Sequence, residues 1–519
     1  MISPMTQTPF FSSKAHVSPY LADWHHAFAP HHETNGPLVE LWFERPNKTP
    51  LREAMRLPAM PDITTLKRAA LYLSGLLNNK LSLWGAKSAH IVADDAALAQ
   101  ELLHRVTECY LYKAELFSEL TPFFLLSLIR KRYGENFRLD ADADAVKQLI
   151  LTGATDESPR PAATRPGRHT VLAINIGQHK TAYALVTLNG AGGYTISREH
   201  RLATWPEGQP RSYPDIAGQA MAAIAKELGP IPPDVEAVCC SLSCPVTEGT
   251  PYCIGYVGLC AAGDQENADA MQPAILAAAG EAFPGLPVFL INDAEAQGLY
   301  ASRFCHQGND PTDPGYATEL LSIRFGACPS ISYIDATGRN IPRLNEYAWL
   351  VTTVHGERPD MPLFSSISPY LSFYGIGTIA RELGLLDKYG VEQNDAAACF
   401  HDFFTGSDRS RQRDAFKTYY VLGAHIAMLA GEVHRDTPVR HVQLLGSAAN
   451  KLDEPVFTAI WNGFADFIDR HALPFDGVDF TMTEGVSAYA SLVGAAVAYA
   501  DDGTETAEEN KRGLQRPGA

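Results

Sequence analysis

Two hydrophobic rhythms divide the chain. Between Thr64 and Thr152 apolar side chains return every three or four residues, with Leu66, Ala69, Ala70, Leu73, Leu76 and Leu77 on one helical face. The same period predicts helices over Ala96–Tyr112, Phe117–Tyr133 and Ala143–Leu151. Residues 1 to about 60, rich in Pro, His and aromatics, show little periodicity. The run Asp156 to Arg168, DESPRPAATRPGR, breaks the pattern and predicts a linker.

Beyond the linker the rhythm shortens. Val171–Ile176, Thr181–Leu188 and Tyr194–Leu202 are apolar, β-branched strands, followed by helix Ile216–Leu228, strand Val235–Leu242, helix Ala268–Phe283 and strand Val288–Ile291. A second round starts with strands Glu319–Arg324 and Ser330–Asp335. Helices near Ser368–Leu385 and Arg413–Glu432, strand His441–Leu445, helix Pro455–His471, strand Val478–Met482 and helix Ala488–Ala500 complete it. Two successive rounds of this kind predict two α/β lobes with a cleft between them, which is where ligands usually bind. The expected domains are a mainly helical accessory domain over 1–155, a linker over 156–168, lobes over 169–295 and 296–503, and a disordered polar tail over 504–519.

Composition narrows the class. At 519 residues the chain exceeds a single core, and 46% hydrophobic with 19% charged residues describes a folded protein. A net charge of -17 argues against a large nucleic-acid or anionic-membrane surface. The nine cysteines lack paired spacing, and Cys239, Cys240 and Cys244 read as buried thiols. No CxxC pair or clustered histidine spacing suggests zinc. The start, MISPMTQTPFF, lacks the layout of a secretory signal, and no apolar run is long enough for a membrane span, so a cytoplasmic location is expected.

Five segments carry a family resemblance. They are Val171-Leu-Ala-Ile-Asn-Ile-Gly-Gln-His-Lys-Thr181, Val288-Phe-Leu-Ile-Asn-Asp-Ala-Glu-Ala-Gln-Gly298, Leu371-Ser-Phe-Tyr-Gly-Ile-Gly-Thr-Ile-Ala-Arg-Glu-Leu383, Val442-Gln-Leu-Leu-Gly-Ser-Ala-Ala-Asn450 and Gly485-Val-Ser-Ala-Tyr-Ala-Ser-Leu-Val-Gly-Ala-Ala496. In order and spacing they resemble the motifs of ROK sugar kinases, over roughly Val171 to Ala500. The resemblance implies a two-lobed actin-like (ribonuclease H-like) ATPase fold with duplicated β-β-β-α-β-α units. It also implies ATP and Mg2+ as cofactors, a sugar or sugar-like substrate and a possible homo-oligomer.

By the same resemblance Asp293 is the catalytic base, and Asn292 and Glu346 face the sugar. An aspartate just past a strand end can accept a hydrogen bond from an acceptor hydroxyl and take its proton. An Asn-Asp pair in that place is also a common helix cap. Glu346 lies in Leu344-Asn-Glu-Tyr-Ala-Trp349, where Trp349 replaces the family histidine, and His355-Gly-Glu357 is a competing match. The family's zinc cysteines are missing from Met361–Ile367, so no zinc is expected. Ser372 stands where the family places another sugar-binding glutamate.

The phosphate motifs depart from the family. Asn175 replaces its metal-holding aspartate, and Gln178 and His179 replace a glycine and a threonine, while Gly177, Lys180 and Thr181 persist. The second motif is Arg324-Phe-Gly-Ala-Cys-Pro-Ser330, keeping Gly326 but with Pro329 removing an amide donor. Gly446 and Ser447 stand in the nucleotide-side loop. The expected function is a ROK-like kinase passing phosphate from ATP to a sugar hydroxyl. The alternative is a catalytically impaired pseudokinase that binds a sugar or metabolite as a sensor or partner-regulating module.

Some ROK proteins are DNA-binding regulators, and Lys113 to Arg132 faintly resembles their helix-turn-helix. Its would-be recognition helix is apolar apart from Arg130, Lys131 and Arg132, so nucleic-acid binding is not expected.

Overall fold

The computed structural model describes residues 20–29, 35–45, 49–86, 88–108, 138–152, 167–177, 180–189, 193–203, 213–243, 246–247, 250–251, 265–305, 317–326, 329–341, 345–354, 364–372, 374–445, 453–471, 473, 475, 477–483 and 489–502. The expected helix Phe117–Tyr133, most of the linker, His355-Gly-Glu357, and the tail 504–519 lie outside these residues.

Among its described residues the N-terminal region sets a four-stranded sheet beside its helices. Strands β1 (Leu38–Glu44), β2 (Leu51–Arg56), β3 (Ser88–Ala93) and β4 (Arg138–Asp140) form a sheet in the order β2-β1-β3-β4. Along β1 the side chains alternate, with Val39, Leu41 and Phe43 buried, as a strand covered on one face requires. The helix Ile63–Trp84 starts at Asp62, whose side chain accepts from the Thr65 amide, and stops at Gly85 in the left-handed conformation. Every residue from Ala69 to Leu83 on it is buried. The one-face pattern therefore understates its burial, because this helix is wedged between the N-terminal core and the second lobe.

Five strands make the first lobe: β5 (His169–Ile176), β6 (Lys180–Asn189), β7 (Gly193–Ala203), β8 (Val235–Leu242) and β11 (Val288–Asn292), with β9 (Val246–Thr247) and β10 (Thr250–Pro251) pairing separately. Their order is β11-β8-β5-β6-β7. β5, β6 and β7 are antiparallel neighbours, whereas β5, β8 and β11 run parallel. In chain order this is 3-2-1-4-5, the ribonuclease H-like arrangement. Val171 to Ile174 and Val238 to Leu242 are buried without alternation, since the central parallel strands are covered on both faces.

Among the described residues the second lobe repeats the plan with one strand fewer. β12 (Leu320–Arg324), β13 (Ser330–Ile334), β16 (His441–Leu445) and β17 (Asp479–Thr483) lie in the order β13-β12-β16-β17. The expected duplicate β-β-β start is thus cut to two strands among the described residues. Among the described residues an isolated bridge from Ile334 to Asn340 follows β13. β14 (Val351–Val354) and β15 (Phe364–Ser366) form a separate hairpin, and a helical insert runs from there to the long helix Arg409–His434.

The boundary expected between residues 295 and 296 falls inside the helix Asp293–Tyr300. The closing helix Ala490–Asp502 packs against that helix and the first sheet, sharing a core with Val171, Ala184 and Ala237 as well as Ile334 and Leu445 of the second. A Cβ on Gly494 would stand 1.7 Å from the Ala296 carbonyl oxygen, so only glycine permits this crossing. No helix among the described residues is long and apolar enough to cross a membrane.

Candidate functional site

The parallel strands of both lobes end near one another. In the first lobe one row holds Asn175, Ser241 and Ile291, and the next holds Ile176, Leu242 and Asn292. In the second, Arg324 is level with Leu445 and Ser330. The carboxyl ends of parallel strands are where open α/β sheets bind ligands, because loops and helix starts converge there.

Asp293 opens the helix that follows β11. Its Oδ2 accepts a hydrogen bond from Ser243 Oγ at 3.1 Å. Burial raises its pKa, opposed by the positive charge of Arg324 from the other lobe. Arg324 is in turn lowered by burial and raised by Asp293. This reciprocity brings Asp293 and Arg324 to the same inter-lobe junction.

Asn292 caps the helix that Asp293 opens. Its Oδ1 accepts from the amides of Ala294 at 2.9 Å and Glu295 at 3.1 Å. That is an N-cap, which ties the side-chain carbonyl to the helix start.

Glu346 does come to the junction. Burial raises its pKa to about 7, a side-chain hydrogen bond from Trp349 favours the carboxylate, and the charges of Asp293 and Glu295 disfavour it. Glu295, which the motif reading passed over, is also pushed by burial to about 7. Asn345 Nδ2 donates to Glu295 Oε1 at 2.7 Å. Three carboxyls thus gather within electrostatic reach of one another. The signal for Glu295 was its place two residues past Asp293, inside a segment read only as a motif.

The N-terminal region builds part of this junction. The amides of Asn345 and Glu346 donate to the carbonyls of Leu83 and Ser82, at 3.2 and 3.0 Å. Asn78 Nδ2 donates to the Trp349 carbonyl at 2.9 Å, and Asn79 takes the Val351 amide at 2.7 Å while donating to its carbonyl at 2.9 Å. Asn345 itself sits at φ 60, a left-handed conformation that asparagine tolerates. Lys80, buried, pairs with Glu53 and Asp436 beneath the same segment.

Among the described residues the phosphate-motif positions are engaged locally. Asn175 Oδ1 accepts from Ser241 Oγ at 3.1 Å. The Gly177 amide donates to the Lys180 carbonyl at 3.1 Å, closing the hairpin. Thr181 is fully buried, while the Lys180 side chain is exposed. Gly326 and Pro329 flank residues 327–328, which lie outside the described residues along with Gln178, His179, Gly446 and Ser447. Among the described residues no group of three or more His, Cys, Asp or Glu is placed to hold a metal ion. An ATP–magnesium site needs carboxylate ligands and free amides, and the described donors offer a neutral, occupied amide and a proline. They do not fit that group. Ser372, set against a sugar-binding glutamate, is instead buried in a local turn, its Oγ accepting from the Tyr374 amide at 3.2 Å.

Neither a family model nor a curated protein matches the chain. Among solved structures it is similar to a ROK hexokinase from Thermus thermophilus, at 17% identity and TM-score 0.45 over 66% of this chain and 99% of that one. A ROK family glucokinase from Streptomyces griseus, solved with glucose and AMPPNP, gives 17% and 0.41 over 63% and 98%. A ROK family transcriptional regulator, a homolog of the E. coli MLC protein, gives 13% and 0.46 over 65% and 81%. With TM-scores below 0.5 these likenesses add nothing to the strand order, which identifies the fold by itself.

Proposed function

We propose that the chain binds a small polyhydroxylated compound, a sugar or close relative, between its two lobes, as a kinase-like protein whose phosphoryl-transfer parts are impaired. One observation carries the reading. Asp293, Glu295 and Glu346 converge from two lobes at the strand ends, while Asn175, in the metal-holding position, is a neutral amide bonded to Ser241. Carboxyl groups are strong partners for vicinal hydroxyls, and two of them titrating near neutrality can donate as well as accept. Lobe closure on a ligand would then be the output passed to a partner.

Phosphoryl transfer from ATP is the second reading. What favours it is Asp293 alone, placed at a strand end with a raised pKa, as a base at such a junction would be. The ROK hexokinase and glucokinase supply the analogy for it and nothing more.

A thermal-shift panel of sugars, amino sugars and nucleotides, with and without magnesium, separates the two. The first reading predicts stabilisation by a sugar and none by ATP–magnesium. Stabilisation by ATP–magnesium, with sugar phosphorylation abolished in Asp293→Asn, would establish the second instead.

A further inference from the structure

Arg324 ends β12 at the junction, and among the described arginines its situation is the one the fold does not explain. Its Nε is buried with no hydrogen-bond partner. Arg105, Arg303 and Arg339 share that feature, but each has other anchoring. Arg105 pairs with Glu101, Arg303 pairs with Asp501, and Arg339 has a further interaction. No hydrogen bond or ion pair to Arg324 exists among the described residues. Its counter-charge, Asp293, acts on it without an ion pair within 4.0 Å.

A partly buried guanidinium with no partner among the described residues is costly, and such a group in a native protein calls for a function. Its planar fork is shaped for two oxygens of one phosphate or carboxylate. The triphosphate of ATP is a poor candidate for the role, because Pro329 has no amide to offer and Asn175 is already engaged. The surrounding carboxyls do not forbid an anion, since Glu295 and Glu346 are both held near neutral titration by burial.

We infer that Arg324 receives an oxyanion carried by the ligand itself, so that the compound bound between the lobes is a phosphorylated or carboxylated polyol rather than a neutral sugar. The inference rests on the proposed binding reading and specifies its ligand. The hydroxyls lie toward Asp293, Glu295 and Glu346, and the anionic end lies against Arg324. In this arrangement Arg324 occupies with binding chemistry the place where a kinase would cradle a nucleotide phosphate.

The test uses the full chain and matched triplets: glucose, glucose 6-phosphate and glucuronate, then the galacto and manno equivalents, with inorganic phosphate alone as a control. Calorimetry and thermal shift are run on the parent, Arg324→Gln and Arg324→Lys. In one triplet an anionic member is expected to bind about tenfold or more tighter than the neutral sugar, the scale of one charge-assisted contact. Arg324→Gln removes that preference, bringing the ratio of anionic to neutral affinity down to about one. Arg324→Lys, which keeps charge but loses the fork, retains part of it and covers the case in which the glutamine variant does not fold. Whether the phosphate or the carboxylate arm shows the preference identifies the oxyanion. A neutral sugar bound as tightly as its anionic forms, or a preference that survives Arg324→Gln, overturns the inference while leaving the binding reading in place. Failure of every compound to bind the parent removes both.

Discussion

Glu346→Gln is the perturbation with the clearest physical signature. In the folded chain Glu346 titrates near 7 because burial and the neighbouring Asp293 and Glu295 charges outweigh the Trp349 hydrogen bond, against an ordinary value of 4.5. The folded state therefore holds this proton over a range in which the unfolded chain releases it. Stability is full below about 4.5, falls as pH rises toward 7, and levels off above the folded value. A rise of this size is worth roughly 3 kcal/mol for an isolated group, and about 2 kcal/mol after allowing for partial exposure. Glutamine keeps the shape and the acceptor but never ionises. The variant should match the parent at pH 4.5 or below and exceed it by about 2 kcal/mol at pH 8. The assay is urea unfolding of both chains at a series of pH values, followed by tryptophan fluorescence. A difference that stays flat across that range would show that Glu346 is solvated and does not share the junction with the other two carboxyls.

Other outcomes follow from the packing. Gly494→Ala should lower the melting temperature sharply, since its Cβ would meet the Ala296 carbonyl oxygen at 1.7 Å, whereas Gly280→Ala, with nothing within 4 Å, should be neutral or stabilise by about 0.5–1 kcal/mol through helix propensity. Calorimetric scans of the two variants check the contrast. Lys80→Met removes the shared cation, leaving Glu53 to Arg435 and Asp436 to the Trp84 indole, and should cost about 3 kcal/mol, read as faster proteolysis of the N-terminal region. Asn78→Ala frees the Trp349 carbonyl and should cost about 1–2 kcal/mol, with weakened binding of whichever sugar the thermal-shift panel identifies.

Much of the two-lobed body can be read from the residues. β5 and β8 are buried on both faces and so appear as uninterrupted apolar runs, β11 is buried at Leu290 and Ile291, and Asp293 follows it directly. The N-terminal sheet is harder to see. β2 is Leu51-Arg-Glu-Ala-Met-Arg56 with Met55 alone buried, too weak an alternation to stand against the long helix that follows. Asn292 can be read as a cap and a ligand at once, and its bonds to Ala294 and Glu295 display the cap. The contacts of Ser82 and Leu83 with Glu346 and Asn345 join segments more than 250 residues apart, and nothing local announces them. Arg324 is visible as a departure from a motif, but its want of a partner is a property of the folded chain.

Saturation-transfer NMR on the intact chain, with neutral hexoses, hexose 6-phosphates and uronates, tests most directly whether the two lobes hold a polyol at Asp293. At least one compound should show transfer that disappears in Asp293→Ala. No transfer from any of them, or transfer undiminished in that variant, would contradict the account.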